Sequence, residues 1–265
     1  MPGFAANLTL LFNELDFPDR FEAAAKAGFE AVELLFPYAW PAELIAERLQ
    51  RHDLKLVLHN LPAGHWDAGE RGIACLPDRV DEFRAGVAQG IACATALGCP
   101  QLNCLAGIQP AHVSSEEAHA TLVSNLRFAA AEFERAGLRL LIEPINTFDM
   151  QGFFLNRSNQ AAAIIDEVGA PNLFIQYDIY HAQRMEGELS NTIARLLPRI
   201  GHMQMADTPG RHEPGTGEIN YDFLFDFIDD IGYTGWIGCE YRPATTTTNG
   251  LGWFSARRRP QASSA

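Results

Sequence analysis

Short apolar segments alternate with amphipathic helical segments eight times along the chain, and this alternation is the strongest constraint on the fold. The first unit pairs residues 4–8 with a helical stretch at 17–27, and the last apolar segment is 236–239. Each unit takes about 30 residues, and the apolar segments are short and nearly continuous, as buried parallel strands are. Eight such units predict an α/β fold, a closed (β/α)8 TIM barrel that forms a single domain over residues 1–256.

Helix-terminating residues support the same division of the chain. Ser114 with Glu117 forms a capping box for a long helix that ends near residue 136, and Ser158 is placed to cap a helix ending near residue 168. The other predicted helices are 41–50, 78–97, 186–197 and 222–231. Glycines end four helices shortly before the next strand: Gly28, Gly98, Gly137 and Gly232. The remaining predicted strands are 31–35, 55–59, 101–104, 138–143, 173–177 and 202–206.

A doubly wound open sheet is the alternative architecture for this pattern. That fold usually has a glycine-rich phosphate-binding turn directly after its first strand. Here the corresponding turn, residues 7–11 (NLTLL), contains no glycine, so the closed barrel is the simpler prediction. At the other end of the chain we expect a disordered tail over residues 257–265, which is rich in arginine, serine and alanine.

The charge balance of the chain disfavours some partners. Twenty Lys and Arg residues stand against 33 Asp and Glu residues, which gives a formal net charge of −13. An acidic protein is poorly suited to hold nucleic acid by counterion release, so we expect no nucleic-acid partner. We also expect no membrane partner, because no apolar stretch approaches the roughly 18 uninterrupted residues of a spanning helix. The five cysteines form no CxxC pair, which is typical of reduced thiols in a cytoplasmic protein.

Polar residues end or follow five of the predicted strands, where a barrel of this kind places its active site. They are His59, Glu143, Asp178, Gln204 and Glu240. Any one carboxylate could be a structural ion-pair partner, but three at one barrel mouth repel each other unless protons or a cation offset their charge. The four oxygen donors suit a hard divalent ion and include no thiolate or imidazole. We therefore expect Mg²⁺ or Mn²⁺ and not a structural zinc.

Further residues near the strand ends are candidates for substrate binding: His59, Arg71, His181, Asp207 and Arg211. His181 lies just past an acidic strand end and could contact substrate or orient a metal ligand. The two arginines are suited to a substrate carboxylate, because a guanidinium binds a carboxylate with two parallel hydrogen bonds. The alternatives are a core histidine and ordinary surface charges.

Six longer segments around these residues resemble the hydroxypyruvate isomerases, a branch of the xylose isomerase-like TIM barrels. The segments are 59–64 (HNLPAG), 69–74 (GERGIA), 141–146 (LIEPIN), 176–181 (QYDIYH), 213–221 (EPGTGEINY) and 238–241 (GCEY). They run in the expected order, and the resemblance extends over nearly the whole chain, from Phe4 to about Trp253.

The resemblance implies that Glu143 and Glu240 are the catalytic pair and that both bind the metal, with Asp178 and Gln204 as the other ligands. Many relatives have a histidine where this chain, like the hydroxypyruvate isomerase branch, has Gln204. A neutral amide is a weaker ligand than imidazole for transition metals, which favours Mg²⁺ or loosely held Mn²⁺ over tightly bound Co²⁺ or Zn²⁺. Asp149 falls where some epimerases use a substrate-contacting acid, and its role stays open.

The implied reaction interconverts hydroxypyruvate and tartronate semialdehyde, an isomerisation of the aldose–ketose type in glyoxylate or related hydroxy-acid metabolism. It moves a proton between C3 and C2 of a small hydroxy-keto acid, so an enediolate must be stabilised. A divalent ion does this as a Lewis acid, while the two glutamates take up and return the proton. His181 is a candidate for assisting protonation of the substrate oxygens.

Other functions remain open for such a barrel. A 2-oxo-tetronate isomerase or a ketose 3-epimerase would share the metal site, although the loop at 59–74 favours hydroxypyruvate. A metal-dependent phosphodiesterase for damaged DNA would need several metals and many histidine ligands. A non-catalytic carbohydrate-binding protein would not need both glutamates. The sequence is compatible with a homo-oligomer but does not define one.

Overall fold

Eight parallel strands form a closed barrel in which each strand pairs with the next along the chain and β8 returns to β1. The computed structural model describes residues 3–257. The strands are β1 (Gly3–Asn7), β2 (Ala31–Leu34), β3 (Lys55–Asn60), β4 (Gln101–Cys104), β5 (Arg139–Ile142), β6 (Leu173–Asp178), β7 (Ile200–Met205) and β8 (Trp236–Cys239). This is the (β/α)8 barrel that the alternation of segments predicts.

Helices surround the barrel and bury their apolar faces against the strands. The α-helices within the described residues are α1 (Phe17–Ala27), α2 (Ala42–Arg51), α3 (Val80–Leu97), α4 (Ser115–Arg135), α5 (Ser158–Val168), α6 (Ile179–Met185), α7 (Leu189–Leu196), α8 (Tyr221–Asp230) and α9 (Gly252–Arg257). Gly28 and Gly98 adopt the left-handed conformation directly after α1 and α3, as a helix-ending glycine does. Within the described residues, no helix combines the length and apolar character needed to cross a bilayer.

The segment after β6 differs from the predicted single helix at 186–197. A helix begins directly at the strand end, because Asp178 Oδ1 accepts the backbone N–H groups of Tyr180 (2.7 Å) and His181 (3.3 Å). The chain then turns through Gly187 and Glu188, both at positive φ, before α7 begins. The extra short helix α6 brings His181 to the mouth of the barrel.

The two predicted helix caps have different outcomes. Ser114 Oγ accepts the backbone N–H of Glu117 at 3.1 Å, so the cap of α4 is confirmed. Ser158 does not cap α5; it is the first helical residue, and its hydroxyl and backbone N–H both donate to Glu186 Oε1 at 2.8 Å. The carboxylate of Glu186, which lies beyond β6, thus accepts the backbone N–H at the start of α5.

The C-terminal helix α9 packs back onto the first units of the barrel. Phe254 stacks on Phe29 with ring centroids 4.2 Å apart. Arg257 ends this helix and pairs with Asp222 at 2.9 Å. The tail predicted to be disordered begins at this arginine, and its remaining residues, 258–265, lie outside the described residues.

Side chains inside the barrel form an apolar floor with a polar layer above it. The floor is a small cluster of Ala5, Ala31 and Val57, with Trp236 packed against it. Above the floor the inward positions carry amide, imidazole and carboxylate groups, all buried, including Glu33, Gln176, His202 and Gln204. This layer supports the residues at the strand ends.

Candidate active site

A cavity of about 630 Å³ opens at the C-terminal ends of the strands, and we call it the cleft. Two glutamates, Glu143 and Glu240, and the imidazole of His181 lie on its inner wall. Four arginines line it as well: Arg71, Arg184, Arg211 and Arg242. An anionic small molecule is the ligand that such a basic wall favours.

Three carboxylates come close together around the inner end of the cleft, as the strand-end residues predict: Glu143 and Glu240 line it, and Asp178 lies directly behind it. Glu143 follows β5, Asp178 ends β6 and Glu240 follows β8, and each is less than 8% exposed. Glu143 Oε2 accepts a hydrogen bond from Asn103 Nδ2 at 2.8 Å. Asp178 Oδ2 is buried and has no hydrogen-bond partner within the described residues. A buried, unpartnered carboxylate oxygen among like charges is a position that a cation would satisfy.

The same crowding shifts the protonation of the two glutamates. Burial, and then the neighbouring charges of Glu240 and Asp178, raise the pKa of Glu143 well above its usual value. Burial also raises the pKa of Glu240 to about 8, although the positive charge of Arg211 opposes the shift. Without a cation, Glu240 therefore retains its proton near neutral pH, and protonation of Glu143 is shifted in the same direction.

His181 faces the carboxylates through its Nε2 atom. That atom lies 3.6 Å from Asp178 Oδ2 and 4.0 Å from Glu143 Oε1, and ligand atoms of the three residues all lie within 4.8 Å of one another. Burial lowers the pKa of His181 to about 4, so the imidazole is neutral at pH 7. A neutral imidazole carries a proton on only one ring nitrogen, and which nitrogen it is decides the role of the side chain.

Asn146 determines which ring nitrogen of His181 carries the proton. Its Oδ1 accepts the backbone N–H groups of Phe148 (3.0 Å) and Asp149 (2.8 Å), so its NH₂ group must face His181 Nδ1, which is 2.6 Å away. His181 Nδ1 is then the acceptor and Nε2 carries the proton. With its proton directed at the carboxylates, His181 is a hydrogen-bond donor in the cleft and not an additional metal ligand.

Gln204 lies beside Asp178 on the neighbouring strand but below the surface of the cleft. The two residues are register partners between β6 and β7. Gln204 Nε2 donates to Glu33 Oε1 at 2.8 Å, and Gln204 Oε1 accepts from Gln176 Nε2 at 2.6 Å. The amide oxygen is thus turned away from Glu33 and retains a second lone pair for another partner.

Arg211 is engaged with the carboxylates themselves. Its Nη2 donates to Glu240 Oε2 at 3.1 Å and lies 3.9 Å from Asp178 Oδ2. Its guanidinium also sits 5.1 Å from the ring centroid of Tyr180. Arg211 therefore lines the cleft, and its positive charge is already offset by Glu240 and Asp178.

Arg71 is held differently. Its guanidinium stacks on Trp66 at 4.2 Å from the ring centroid, and its Nη1 donates to the carbonyl oxygens of Trp66 (2.9 Å) and Glu70 (2.7 Å). Its side chain has no ion pair with a described carboxylate. Arg71 keeps its other N–H groups available to a ligand in the cleft.

Two of the predicted substrate-binding residues do not line the cleft. Asp207 accepts four backbone N–H groups of the loop that follows it: Thr208 (2.9 Å), Gly215 (3.0 Å), Gly217 (2.9 Å) and Ile219 (3.1 Å). Its carboxylate therefore shapes the loop that carries Arg211. The second residue is His59, which is fully buried and packs edge-to-face against Tyr38 at 5.8 Å.

A bulge in β3 explains the position of His59. Relative to β2, this strand contains one extra residue, Val57. An extra residue reverses the in–out alternation of the positions that follow it. Asn60 thus turns into the barrel, where its Oδ1 accepts from Asn103 Nδ2 at 3.2 Å, and it lines the cleft in place of His59.

Sequence reasoning missed one side of the cleft. Arg184 Nη1 donates to Asp149 Oδ1 (3.0 Å) and to Tyr180 Oη (2.7 Å), and the tyrosine hydroxyl donates to Asp149 Oδ2 (2.8 Å). Arg242 lies at the rim of the same cleft. Arg184 follows His181 by three residues on α6, and this helical spacing was the available signal.

Comparison with known proteins agrees with this geometry. A family profile described as xylose isomerase-like TIM barrel matches residues 21–257. Hydroxypyruvate isomerase of Escherichia coli (strain K12) is 56% identical over 258 residues, which cover 97% of this chain and 100% of that protein. The 2-oxo-tetronate isomerase of Cupriavidus necator is 48% identical over 254 residues, which cover 96% of this chain and 98% of that protein.

Solved structures give the same assignment of the fold. A crystal structure described as AP endonuclease, family 2, from Brucella melitensis has a TM-score of 0.95 at 43% identity, covering 98% of this chain and 100% of that chain. The 3-keto-D-glucoside 4-epimerase YcjR from E. coli has a TM-score of 0.80 at 17% identity, covering 96% and 98%, and is similar in fold alone. The resemblance read from the sequence is confirmed: the chain belongs to the xylose isomerase-like TIM barrel family.

Proposed function

We propose that this protein is an isomerase that interconverts hydroxypyruvate and tartronate semialdehyde. The observation that carries the proposal is the pair of buried glutamates, Glu143 and Glu240, at the inner end of a cleft lined by four arginines. A relative with that activity in its name is 56% identical over nearly the full length of both chains. The reaction needs what this cleft offers, namely two groups that exchange protons and a site for a carboxylate.

The two glutamates suit the proton transfer. Hydroxypyruvate is HOCH₂–CO–COO⁻ and its isomer is OHC–CHOH–COO⁻, so one proton leaves C3, one arrives at C2, and the hydroxyl proton moves between the two oxygens. A carboxylate with a raised pKa is a stronger base than an exposed one, and its acid form is still present near pH 7. We assign removal and return of the carbon-bound proton to Glu143 and Glu240 as a pair. Their titrations are coupled, so neither is given one direction.

The residues also fit a divalent metal ion, for which we propose Mg²⁺ or Mn²⁺. Among the described residues, Asp178 Oδ2 is buried without a hydrogen-bond partner, and the carboxylates of Glu143 and Glu240 lie close to it. We propose Glu143, Asp178, Gln204 and Glu240 as the residues that hold the ion. When bound, the ion supplies positive charge that stabilises the negative charge developing on the substrate oxygens.

The remaining groups orient the substrate. We propose that Arg71 binds the substrate carboxylate, because Arg211 is already paired with Glu240 and Arg184 with Asp149. Arg71 is also preoriented by its stacking on Trp66, so little rotamer freedom is lost on binding. The neutral His181 directs its Nε2–H into the cleft, where it can donate a hydrogen bond to a substrate oxygen as negative charge develops there.

A 2-oxo-tetronate is the second candidate substrate. It has one carbon more than hydroxypyruvate and the same arrangement of carbonyl, hydroxyl and carboxylate at the reacting end. The cleft, at about 630 Å³, has room for the added carbon, and a relative named for this substrate is 48% identical. The same glutamate pair would transfer the proton.

The test is turnover of both acids by protein stripped with a chelator and resupplied with Mg²⁺ or Mn²⁺, followed by NMR in D₂O. We expect metal-dependent formation of tartronate semialdehyde, with deuterium entering at the reacting carbon. Glu143→Gln and Glu240→Gln should each lower turnover by about 10²- to 10⁴-fold while the protein stays folded. Turnover of 2-oxo-tetronate alone would transfer the assignment to that substrate, and no turnover of either acid would refute the proposal.

We further propose a cytoplasmic enzyme of glyoxylate or related hydroxy-acid metabolism. All five cysteines are free and four of them are buried, which suits a reducing compartment. We also propose that the protein is a homo-oligomer.

A further inference from the structure

We propose that Glu33, a residue outside the cleft, positions the amide of Gln204 so that its oxygen and not its nitrogen faces the other proposed metal ligands. The inference rests on the proposed function, in which Gln204 is one of four residues that hold a divalent ion. Glu33 is a positioning residue in this account, since it acts through Gln204 and does not line the cleft.

Glu33 is a fully buried carboxylate surrounded by donors. Its Oε1 accepts from Asn7 Nδ2 (2.9 Å) and Gln204 Nε2 (2.8 Å), and its Oε2 accepts from His202 Nε2 (2.8 Å). A carboxylate can only accept, so it selects the N–H end of each of these three side chains. Burial makes the selection strong, because an unpaired donor or acceptor in this layer would be costly.

For Gln204 the selection fixes which end of the amide points where. The NH₂ and C=O ends of an amide have nearly the same shape, so their partners decide the orientation. With Nε2 held by Glu33, Gln204 Oε1 accepts from Gln176 Nε2, and Gln204 itself lies beside Asp178, its register partner on β6. Only the oxygen end can ligate a cation, and the NH₂ end would repel one.

Gly238 on strand β8 leaves the space that the carboxylate of Glu33 occupies. Gly238 on β8 is the register partner of Gln204 on β7. A Cβ atom added at Gly238 would overlap the carboxylate of Glu33. A side chain at position 238 would therefore displace the carboxylate of Glu33, while Glu33 and Gln204 themselves remain unchanged.

The test measures Mn²⁺ affinity of the chelator-stripped protein by titration calorimetry, independently of turnover. In Glu33→Gln the new amide no longer accepts from all three donors, and Gln204 can turn its NH₂ toward the ligands. We expect the affinity for Mn²⁺ to fall about 10- to 100-fold, the range for loss of a group that orients a metal ligand. Asn7→Ala is the matched control, because it removes a donor to Glu33 but keeps the bond to Gln204, and its affinity should stay within about twofold.

A double variant separates positioning from general disruption. Glu33→Gln with Gln204→Glu exchanges the carboxylate and the amide and keeps the net charge. A carboxylate at position 204 presents an oxygen at both ends, so one accepts from the amide at position 33 and the other faces the ligands. We expect Mn²⁺ affinity to return to within about threefold of the unaltered protein.

Three results would overturn the inference in distinguishable ways. Unaltered protein that binds Mn²⁺ together with a Glu33→Gln variant that binds it equally well would remove the role of Glu33 alone. A weak single variant that the double variant does not rescue would reduce Glu33 to a structural residue. No binding of Mn²⁺ or Mg²⁺ by the unaltered protein would remove the proposed metal site and this inference with it. If Glu33→Gln does not fold, Gly238→Ala takes its place, with at least threefold weaker Mn²⁺ binding expected and unchanged binding refuting the role.

Discussion

Replacing Asp207 with asparagine should loosen the loop at 208–219 and, through it, the contact between Arg211 and Glu240. The Asp207 carboxylate accepts two backbone N–H groups on each oxygen: those of Thr208 and Ile219 on Oδ1, and those of Gly215 and Gly217 on Oδ2. Asparagine offers one acceptor oxygen and one NH₂ group. Two of the four N–H groups would then face another donor instead of an acceptor.

The expected loss of free energy that holds the loop closed follows from those two lost hydrogen bonds. A hydrogen bond to a charged group contributes about 1.5–3 kcal/mol, so the two together amount to about 3–6 kcal/mol. Gly215 and Gly217 are exposed, and their amides regain water when the loop opens, which places the cost at the lower end. A local opening that is easier by about 3 kcal/mol corresponds to roughly a hundredfold faster amide exchange in the loop.

Hydrogen exchange with mass spectrometry measures that opening, and steady-state kinetics measures its effect on the cleft. We expect faster exchange confined to the loop and a higher KM, because Arg211 loses its fixed position beside Glu240. Gly217→Ala should have the same effect with the charge at position 207 intact, since an added Cβ would overlap the carbonyl oxygen of Thr208. Lost activity with unchanged exchange in the asparagine variant would mean that Asp207 touches the substrate, and the structural reasoning would be wrong.

Three further predictions concern the substrate carboxylate, the titration of Glu240 and the alternative phosphodiesterase function. Arg71→Lys should raise KM for hydroxypyruvate about 10- to 100-fold with a smaller effect on kcat, because lysine cannot bind a carboxylate with two parallel bonds; equal KM values would exclude Arg71 as the carboxylate site. In metal-free protein, the pKa of Glu240 is about 8 against a usual 4.5, so the folded state binds the proton more tightly than the unfolded chain. Stability should then fall as pH rises from about 5 to 8, with a flatter Tm profile in Glu240→Gln, and identical profiles would contradict the assignment. Plasmid DNA with abasic sites should remain uncut in Mg²⁺, which a gel would check; efficient nicking would favour a phosphodiesterase.

The strand ends were predictable because two simple regularities combine. Apolar runs of four to six residues locate the strands, and the C-terminal ends of parallel barrel strands meet at one mouth. Glu143, Asp178 and Glu240 each come at the end of such a run; Glu143 and Glu240 line the cleft, and Asp178 lies directly behind it, beside Glu143. Arg211 was also within reach of this reasoning, since it lies in the loop after β7.

The residues that sequence reasoning misplaced depend on features with no periodic signal. A single extra residue in β3 puts Asn60 and not His59 in the cleft, and nothing in the apolar pattern marks a bulge. Asp207 looks like a substrate ligand, but its partners are backbone N–H groups, which every residue except proline has. Glu33 was detectable in principle, as an acid inside the otherwise apolar strand β2, yet its three donors come from other strands.

The net charge of the sequence does not describe the charge of the cleft. The chain carries a net charge of −13, yet four arginines line the cleft that holds Glu143 and Glu240. Two of those arginines are neutralised locally, Arg211 by Glu240 and Arg184 by Asp149, while Arg71 has no acidic partner among the described residues. A net negative charge disfavours an extended polyanion, whereas a single guanidinium without an acidic partner can still bind one carboxylate at close range. We expect this combination to favour a small monoanion over a nucleic acid, an expectation that follows from the pairing of the charges and not from their number.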